Sequence, residues 1–399
     1  MAANPAMILI IITKGSGEIL PETVVAGVPL LRRIVMAASR AGCQDILVVD
    51  PGPPGLARLL EGTRAVLLPP WELANHARSR RVLVLTSDLL PQPWQLKRLS
   101  EMPLRSGTMH VPTSGIAAVE TVDPQGLLSS IGRSIDGASV FSELEHGYQR
   151  AGAFMGGGCW IRVSNREDLP KAERWLLRGL IKDTEGFMSR HFERKVSLAI
   201  TRWLVSTAIT PNQMTAVSVA IGLLGALLFL SSTPSYELGG ALLFLLHSIL
   251  DGCDGEIARL RYLESRLGGI LDFWGDNLVH SAVFICMGLG WQIAVQAPFP
   301  LVLAFSAVVG TLLSAGFVYR QTMHEKASEG PLFTSVTKSE KPSRLSTLAE
   351  ALTRRDFIYL VVVLSAWGKA RWFLALAAIG APLFFLMLLW ISHRERVHA

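Results

Sequence analysis

The stretch Asp251–Asp276, DGCDGEIARLRYLESRLGGILDFWGD, decides how the C-terminal half of the chain is read. Four carboxylates, Asp251, Asp254, Asp272 and Asp276, stand inside two long apolar segments, about Leu238–Ala258 and Leu267–Trp291. Carboxylates at membrane depth are costly and mark function. The first pair is three residues apart and the second four, so on helices each pair presents its side chains to one face. The short turn Leu260–Arg266 would bring the two pairs face to face. Four clustered carboxylates do not all stay ionised without cations between them, and hard divalent metals with oxygen ligands are the natural counter-ions. Gly255, Ala258 and Gly268 remove bulk beside the acids, letting the helices approach or a flat ligand lie against backbone. Arg259 can meet a phosphate. A two-metal site beside a positive group suits displacement at phosphorus, and a carboxylate left partly free can take a proton from an incoming hydroxyl.

Outward from this stretch, a bilayer span needs about 20 mostly apolar residues. Six segments are expected to span: Met214–Leu230, Leu238–Ala258, Leu267–Trp291, Ala297–Tyr319, Phe357–Trp367 and Trp372–Ser392, the fifth being short. Lys and Arg are absent from 231–237 and 292–296, whereas Arg320–Arg355 holds seven and Arg259–Arg266 three. Lys369 and Arg371 lie between the last two segments. This bias predicts both termini, the long loop and the acidic motif on the cytoplasmic side.

The whole chain has 399 residues, half of them hydrophobic, and a net charge of +6. Its length suggests two or three domains. A mean hydropathy of +0.37 is too high for an ordinary soluble protein and excludes disorder, collagen and small disulfide scaffolds. The excess charge is concentrated: residues 171–203 carry eight basic and four acidic groups. That stretch has an amphipathic helical pattern, with Leu176, Leu177, Leu180 and Ile181, then Phe187, Met188, Phe192, Val196, Leu198 and Ile200. It reads as an interfacial helix or helix pair facing an anionic leaflet, and nucleic acid is a poor reading of it. The four cysteines, Cys43, Cys159, Cys253 and Cys286, form no CxxC pair and have no metal-ligand spacing to a histidine; they read as scattered reduced thiols.

Residues 1–170 alternate strand and helix signals. Met7–Thr13, Asp45–Val49 and Arg81–Thr86 are strand candidates, as are Gly115–Thr121 and Phe154–Val163. Pro29–Ala41, Gly55–Glu61 and Trp71–Arg78 are helical. The apolar run at Met7 has no basic stretch before it and reads as a buried strand, with no signal peptide visible. The alternation predicts an α/β, Rossmann-like domain with a mostly parallel sheet. The expected organisation is therefore an α/β domain over 1–170, amphipathic juxtamembrane helices over 171–203, and an all-α domain of six transmembrane helices over 204–399.

The pattern Asp251-x2-Asp254-Gly255-x2-Ala258-Arg259-x8-Gly268-x3-Asp272-x3-Asp276 resembles the signature of the CDP-alcohol phosphotransferases. The approach Ile209-Thr210-Pro211-Asn212-x2-Thr215 is similar to that family's entry to its first transmembrane helix. The resemblance implies an enzyme that joins the phosphoryl group of a CDP-linked donor to an alcohol acceptor and releases CMP. It implies two divalent ions, Mg²⁺ or Mn²⁺. Asp251, Asp254 and Asp272 would hold them with the donor diphosphate, and Asp276 would assist the second metal and act as general base. Asn212, Thr215, Gly255, Ala258, Arg259 and Gly268 would line the CDP site. Relatives are commonly homodimers. Arg320, Arg354 and Arg355 stand where relatives hold an acceptor phosphate, although the positive-inside rule places arginines there as well.

The first domain resembles sugar-phosphate nucleotidyltransferases through Val25-x-Gly27-x-Pro29-Leu30-Leu31-x-Arg33 and through Arg81–Asp88, a strand ending at an acid that binds metal in active relatives. The fusion is similar to bifunctional inositol-phosphate cytidylyltransferase/phosphotransferases, and 182–203 resembles their connector. Two departures stand out. The loop Lys14-Gly15-Ser16-Gly17 lacks the expected arginine, and Glu22 follows Pro21 where a lysine is expected. A carboxylate there would repel a triphosphate, so the domain reads as degenerate and Asp88 as a remnant. A bifunctional enzyme that makes its own CDP-linked donor remains the alternative. A carrier using the acids for ion passage is a further one, but it leaves Gly255, Ala258, Arg259 and Gly268 unexplained.

Overall fold

A computed structural model describes residues 7–14, 18–52, 54–134, 136–151, 160–180, 192–321 and 357–398. The chain divides into two compact units, Met1–Arg178 and Gly179–Ala399.

The first unit is built on β1 (Met7–Ile12), whose six residues are all buried. Such an unbroken apolar run is what a parallel strand covered on both faces requires. The chain continues through the two-residue strands β2 (Val24–Val25) and β3 (Val28–Pro29), α1 (Leu30–Arg40), β4 (Asp45–Val49), the short α2 (Ala57–Leu60), β5 (Ala65–Leu68) and β6 (Arg81–Thr86). It then forms β7 (Leu89–Leu90), α3 (Pro93–Glu101), β8 (Thr108–Thr113), β9 (Ile116–Glu120), α4 (Pro124–Arg133), α5 (Gly137–Gly147), β10 (Gln149–Arg150), β11 (Ile161–Arg162) and α6 (Leu169–Arg178). The main sheet has the order β10-β8-β9-β6-β1-β4-β5. The run β6-β1-β4-β5 is parallel, while β9 pairs antiparallel with both β6 and β8. The sheet is thus an α/β core with a hairpin grafted on one side. Helix α1 stops where Gly42 takes φ +91°, a left-handed position that glycine adopts without strain.

Three sequence expectations change here. Of Phe154–Val163 only Ile161–Arg162 is strand among the described residues, and 152–159 lie outside them. The stretch Trp71–Arg78 is a 3₁₀ segment, Pro70–His76. Helix α6, expected at the membrane surface, belongs to the first unit and buries Ala172, Leu176 and Leu177 there. Its Glu173 accepts the main-chain N–H of Ala26 at 3.4 Å. The apolar face that suggested a bilayer contact is satisfied by the domain's own core.

The second unit is helical: α7 (Arg194–Leu204), α8 (Pro211–Leu228), α9 (Pro234–Arg261), α10 (Arg266–Val295), α11 (Phe299–Tyr319), α12 (Phe357–Ala366) and α13 (Ala370–His398). Five of these, α8 to α11 and residues 370–394 of α13, are long and apolar enough to cross a membrane, and the chain is an integral membrane protein. The expected fifth span is the ten-residue α12, shorter than the other five. Small residues bring the helices together. A Cβ on Gly240 of α9 would lie 2.8 Å from the carbonyl oxygen of Gly225 on α8, and one on Gly225 would lie 3.0 Å from that of Gly240.

Local chemistry sets where the helices start. Thr210 caps α8 in a reciprocal box with Gln213, with Pro211 in the first turn. Helix α9 ends with Tyr262 in the left-handed region at φ 58°, and α10 begins under Ser265, whose side chain accepts from the Gly268 N–H at 3.0 Å. The break between α9 and α10 is therefore only 262–265. This folds two motif-bearing helices back on each other.

Candidate active site

Helix α9 carries Asp251 and Asp254, each 4% exposed, and α10 carries the half-buried Asp272 and Asp276. Oxygens of Asp251, Asp254 and Asp272 all lie within 4.8 Å of one another. The expected face-to-face meeting of the two pairs is thus realised by three of the four acids. Asp272 Oδ1 is buried and accepts no hydrogen bond. Three converging carboxylates, one with a buried oxygen left over, form a donor set that fits a hard divalent cation. It would be a poor arrangement for bare anions.

Asp276 stands apart from that triad and has its own partner. His247 Nε2 is 3.2 Å from Asp276 Oδ1, and His247 Nδ1 is 2.9 Å from the carbonyl oxygen of Ser218. A carbonyl only accepts, so Nδ1 carries a hydrogen, and Nε2 must carry one as well where it donates to the ionised carboxylate. His247 is 1% exposed and stacks on Phe244, with ring centroids 6.2 Å apart. The sequence reading passed over His247. The available signal was its spacing, four residues before Asp251 and so on the same helical stripe.

The other expected site residues are placed as follows. Thr215 of α8 is buried, and its hydroxyl donates to Asp254 Oδ2. Asn212 is exposed in the first turn of α8. Its Oδ1 lies 3.0 Å from where a Gly268 Cβ would stand, so α8 and α10 meet closely there. Gly255 leaves room for the Arg259 guanidinium, whose Nη1 would be 3.2 Å from a Cβ at that position. Ala258 is 9% exposed. Arg320 is exposed at the C-terminal end of α11, while Arg354 and Arg355 lie outside the described residues.

In the first unit, Asp88 follows β6 and is 2% exposed, with the Arg162 guanidinium Nε 3.5 Å from its Oδ2. Arg162 also donates to the Ser114 carbonyl at 2.6 Å. Glu22 is exposed, and Gly15, Ser16 and Gly17 lie outside the described residues.

A helical membrane protein with an acidic metal-type cluster shared by two adjacent helices is the class that this fold and site define. Residues 208–340 match the family model described as CDP-alcohol phosphatidyltransferase. It is similar to the "Bifunctional IPC transferase and DIPP synthase" of Thermococcus kodakarensis, 36% identical over 161 residues, 40% of this chain and 35% of that protein. The chain thus spans about a third of the length of such relatives. It is also similar to the phosphatidylinositol phosphate synthase of Mycobacterium tuberculosis, 27% identical over 207 residues, 52% of this chain and 91% of that one. A crystal structure of that synthase with CDP-DAG bound aligns with 49% of this chain and 94% of its own at 20% identity, with a TM-score of 0.34.

Proposed function

We propose that this protein is a membrane phosphotransferase that moves a substituted phosphate from a CDP-linked donor to an alcohol acceptor, with release of CMP. The observation that carries the reading is the meeting of Asp251, Asp254 and Asp272 within 4.8 Å, one helical turn from an Asp276 held separately by His247. The three acids of the triad would hold divalent metal, Mg²⁺ or Mn²⁺ in a two-ion site that Asp276 completes, and such ions would neutralise the donor diphosphate and the leaving CMP. Asp276 accepts the proton of the attacking hydroxyl. As the acceptor oxygen bonds to phosphorus, the bond from phosphorus to the CMP oxygen breaks and CMP leaves. Arg259 counters phosphate charge. Thr215 orients Asp254 through its hydroxyl. Gly255, Ala258 and Gly268 leave the wall flat for the cytidine, with Asn212 at its edge. Arg320, Arg354 and Arg355 are the candidates for an acceptor phosphate.

The wider proposal keeps an α/β domain, a juxtamembrane stretch and a membrane domain from residue 204, with α6 assigned to the first of them. It has six spans with α12 as the fifth, and both termini and the site on the cytoplasmic side by the distribution of Lys and Arg. It also has two chains associating as a homodimer. The relatives named for inositol phosphate products support an inositol-type acceptor. The pairing of Asp88 with Arg162 supports a first domain without nucleotidyl transfer, because a fixed guanidinium already neutralises the carboxylate that would bind metal. A bifunctional enzyme is the second reading, since the relatives named bifunctional support it.

The test is to supply the purified full chain, in lipid nanodiscs, with labelled CDP-diacylglycerol or CDP-inositol, Mg²⁺ or Mn²⁺, and a panel of polyols and polyol phosphates. CMP release that needs both metal and acceptor is expected, with the product identified by mass. No CMP release with any donor and acceptor pair would overturn the reading. Pyrophosphate release from CTP and a sugar phosphate would establish the bifunctional alternative.

A further inference from the structure

Helix α7 precedes the family-matched segment, which begins at residue 208, yet it is fastened to the motif helix by a buried charge. On a helix of 3.6 residues per turn, Glu256 lies about 200° around from Asp254 and about 140° from Asp251. It faces away from the acidic cluster and is 0% exposed. Three side chains of α7 hold it. Arg194 Nη1 and Ser197 Oγ each donate to Oε1 at 2.7 Å, and Thr201 Oγ1 donates to Oε2 at 2.6 Å. Positions 194, 197 and 201 form one stripe of α7. The Cys253 thiol adds a contact to the Ser197 carbonyl at 3.5 Å. At the end of α9, Arg261 donates to the carbonyls of Val205, Thr207 and, at 2.8 Å, Ile209. These carbonyls lie in the link from α7 to α8, where helix geometry leaves them without intrahelical partners.

The orientation of α7 is unusual for a helix that only rests on a bilayer. Its inward face is mixed: Ser197 and Thr201 are buried around the carboxylate and Leu204 packs with Met214, Cys253 and Ile257, while Trp203 is 70% exposed on the other side. A surface anchor needs an apolar face and a charged one; it has no use for a buried carboxylate shared with the catalytic helix.

We infer that Glu256 and Arg261 are positioning residues, and that α7 is a working part of the active site. It fixes the rotation and depth of α9 so that Asp251 and Asp254 meet Asp272 of α10. A shift of α7 would then be transmitted to the carboxylates through Glu256. The inference rests on the phosphotransferase reading of the acidic cluster.

The experiment uses the full chain in nanodiscs and two readouts: Mn²⁺ affinity by electron paramagnetic resonance, and amide hydrogen exchange over 194–204 and 250–258. Glu256→Ala is expected to speed exchange in both segments and to weaken Mn²⁺ binding about tenfold, the scale of lost outer-shell support. Glu256→Gln, which keeps an acceptor for the α7 hydroxyls, should recover most of that affinity. If Glu256→Ala is not recovered folded, Thr201→Ala carries the same expectation, with a loss that is smaller but still above about twofold. Faster exchange over 194–204 with Mn²⁺ affinity within about twofold of the unaltered chain, below the outer-shell scale, would make α7 an anchor only and overturn the inference. If the unaltered chain took up no Mn²⁺, the phosphotransferase reading would fall. The inference would then be decided by whether exchange at 250–258 follows exchange at 194–204.

Discussion

His247 Nε2 lies 3.2 Å from Asp276 Oδ1 while its Nδ1 is committed to the Ser218 carbonyl at 2.9 Å. The imidazole is therefore fixed from both ends, and the carboxylate beside it is held in one orientation toward the site. This connects the first membrane helix, through the backbone of Ser218, to the proposed base on the third.

The proposed base is the sharpest point of attack. Asp276→Asn should lower CMP release by about 10²- to 10⁴-fold, the usual scale of general acid–base catalysis. Donor binding should survive, because the triad of Asp251, Asp254 and Asp272 is untouched. Parallel measurement of turnover and of CDP-donor binding checks both. Normal turnover would show that another group takes the proton.

His247→Ala should act on kcat more than on the donor KM. It removes the partner that orients Asp276 and leaves the cluster intact, so a loss of about 10- to 100-fold is expected by analogy with outer-shell ligands. His247→Gln, with an amide that can still donate toward Asp276, should recover part of it. An equal change in KM and kcat for both variants would contradict the orienting role.

Metal removal should abolish activity, and restoring Mg²⁺ or Mn²⁺ should return it. Asp272→Ala or Asp251→Ala should weaken metal binding itself, measured directly as Mn²⁺ uptake. Activity that persists after exhaustive chelation would remove the proposed role of the triad.

Helix contact should fail where glycines let two backbones touch. Gly240→Leu puts side-chain atoms into the space already taken by the Gly225 carbonyl, 2.8 Å from the new Cβ. Overpacking of this kind costs about 1–3 kcal/mol. A lower thermal midpoint of the membrane domain is expected, with Gly239→Leu on the neighbouring face as the milder control. Equal stability of the two would exclude the close contact.

The first domain should be sensitive to mild acid. Burial of His110 lowers its pKa from the ordinary 6.5, because desolvation disfavours the imidazolium. The unfolded chain then takes up a proton first as pH falls below about 6.5, and stability declines in that direction. Protection factors over β8 and β9, with the intrinsic pH dependence of amide exchange divided out, should fall between pH 7.5 and 5.5, and His110→Gln should flatten the change. Protection that does not vary with pH in the unaltered protein would contradict it.

Much of this was legible in the chain before any coordinates. Met7–Thr13 reads as a buried strand and Arg81–Thr86 as a strand because a continuous β-branched and leucine run has few other stable uses. The four aspartates read as one site because ionisable groups at three- and four-residue spacing in apolar helices need a common reason. Three kinds of feature were not legible. The hairpin of β8 and β9 depends on pairing between distant strands, and α6 resembles a membrane-surface helix until the partner for Leu176 and Leu177 is known. The roles of His247 and Glu256 depend on which neighbours their helices meet.

Sequence by itself placed the four carboxylates, since helical periodicity sets each pair on one face of its helix, and the resemblance of their pattern to a known signature supplied the proposed chemistry. Tertiary structure decided the division of labour. Asp251, Asp254 and Asp272 converge, Asp276 meets His247, and Glu256 ties the motif helix to α7. The physical reason is range: periodicity places a side chain on a face of its own helix, but the rotation and approach of a second helix are set by packing across the fold.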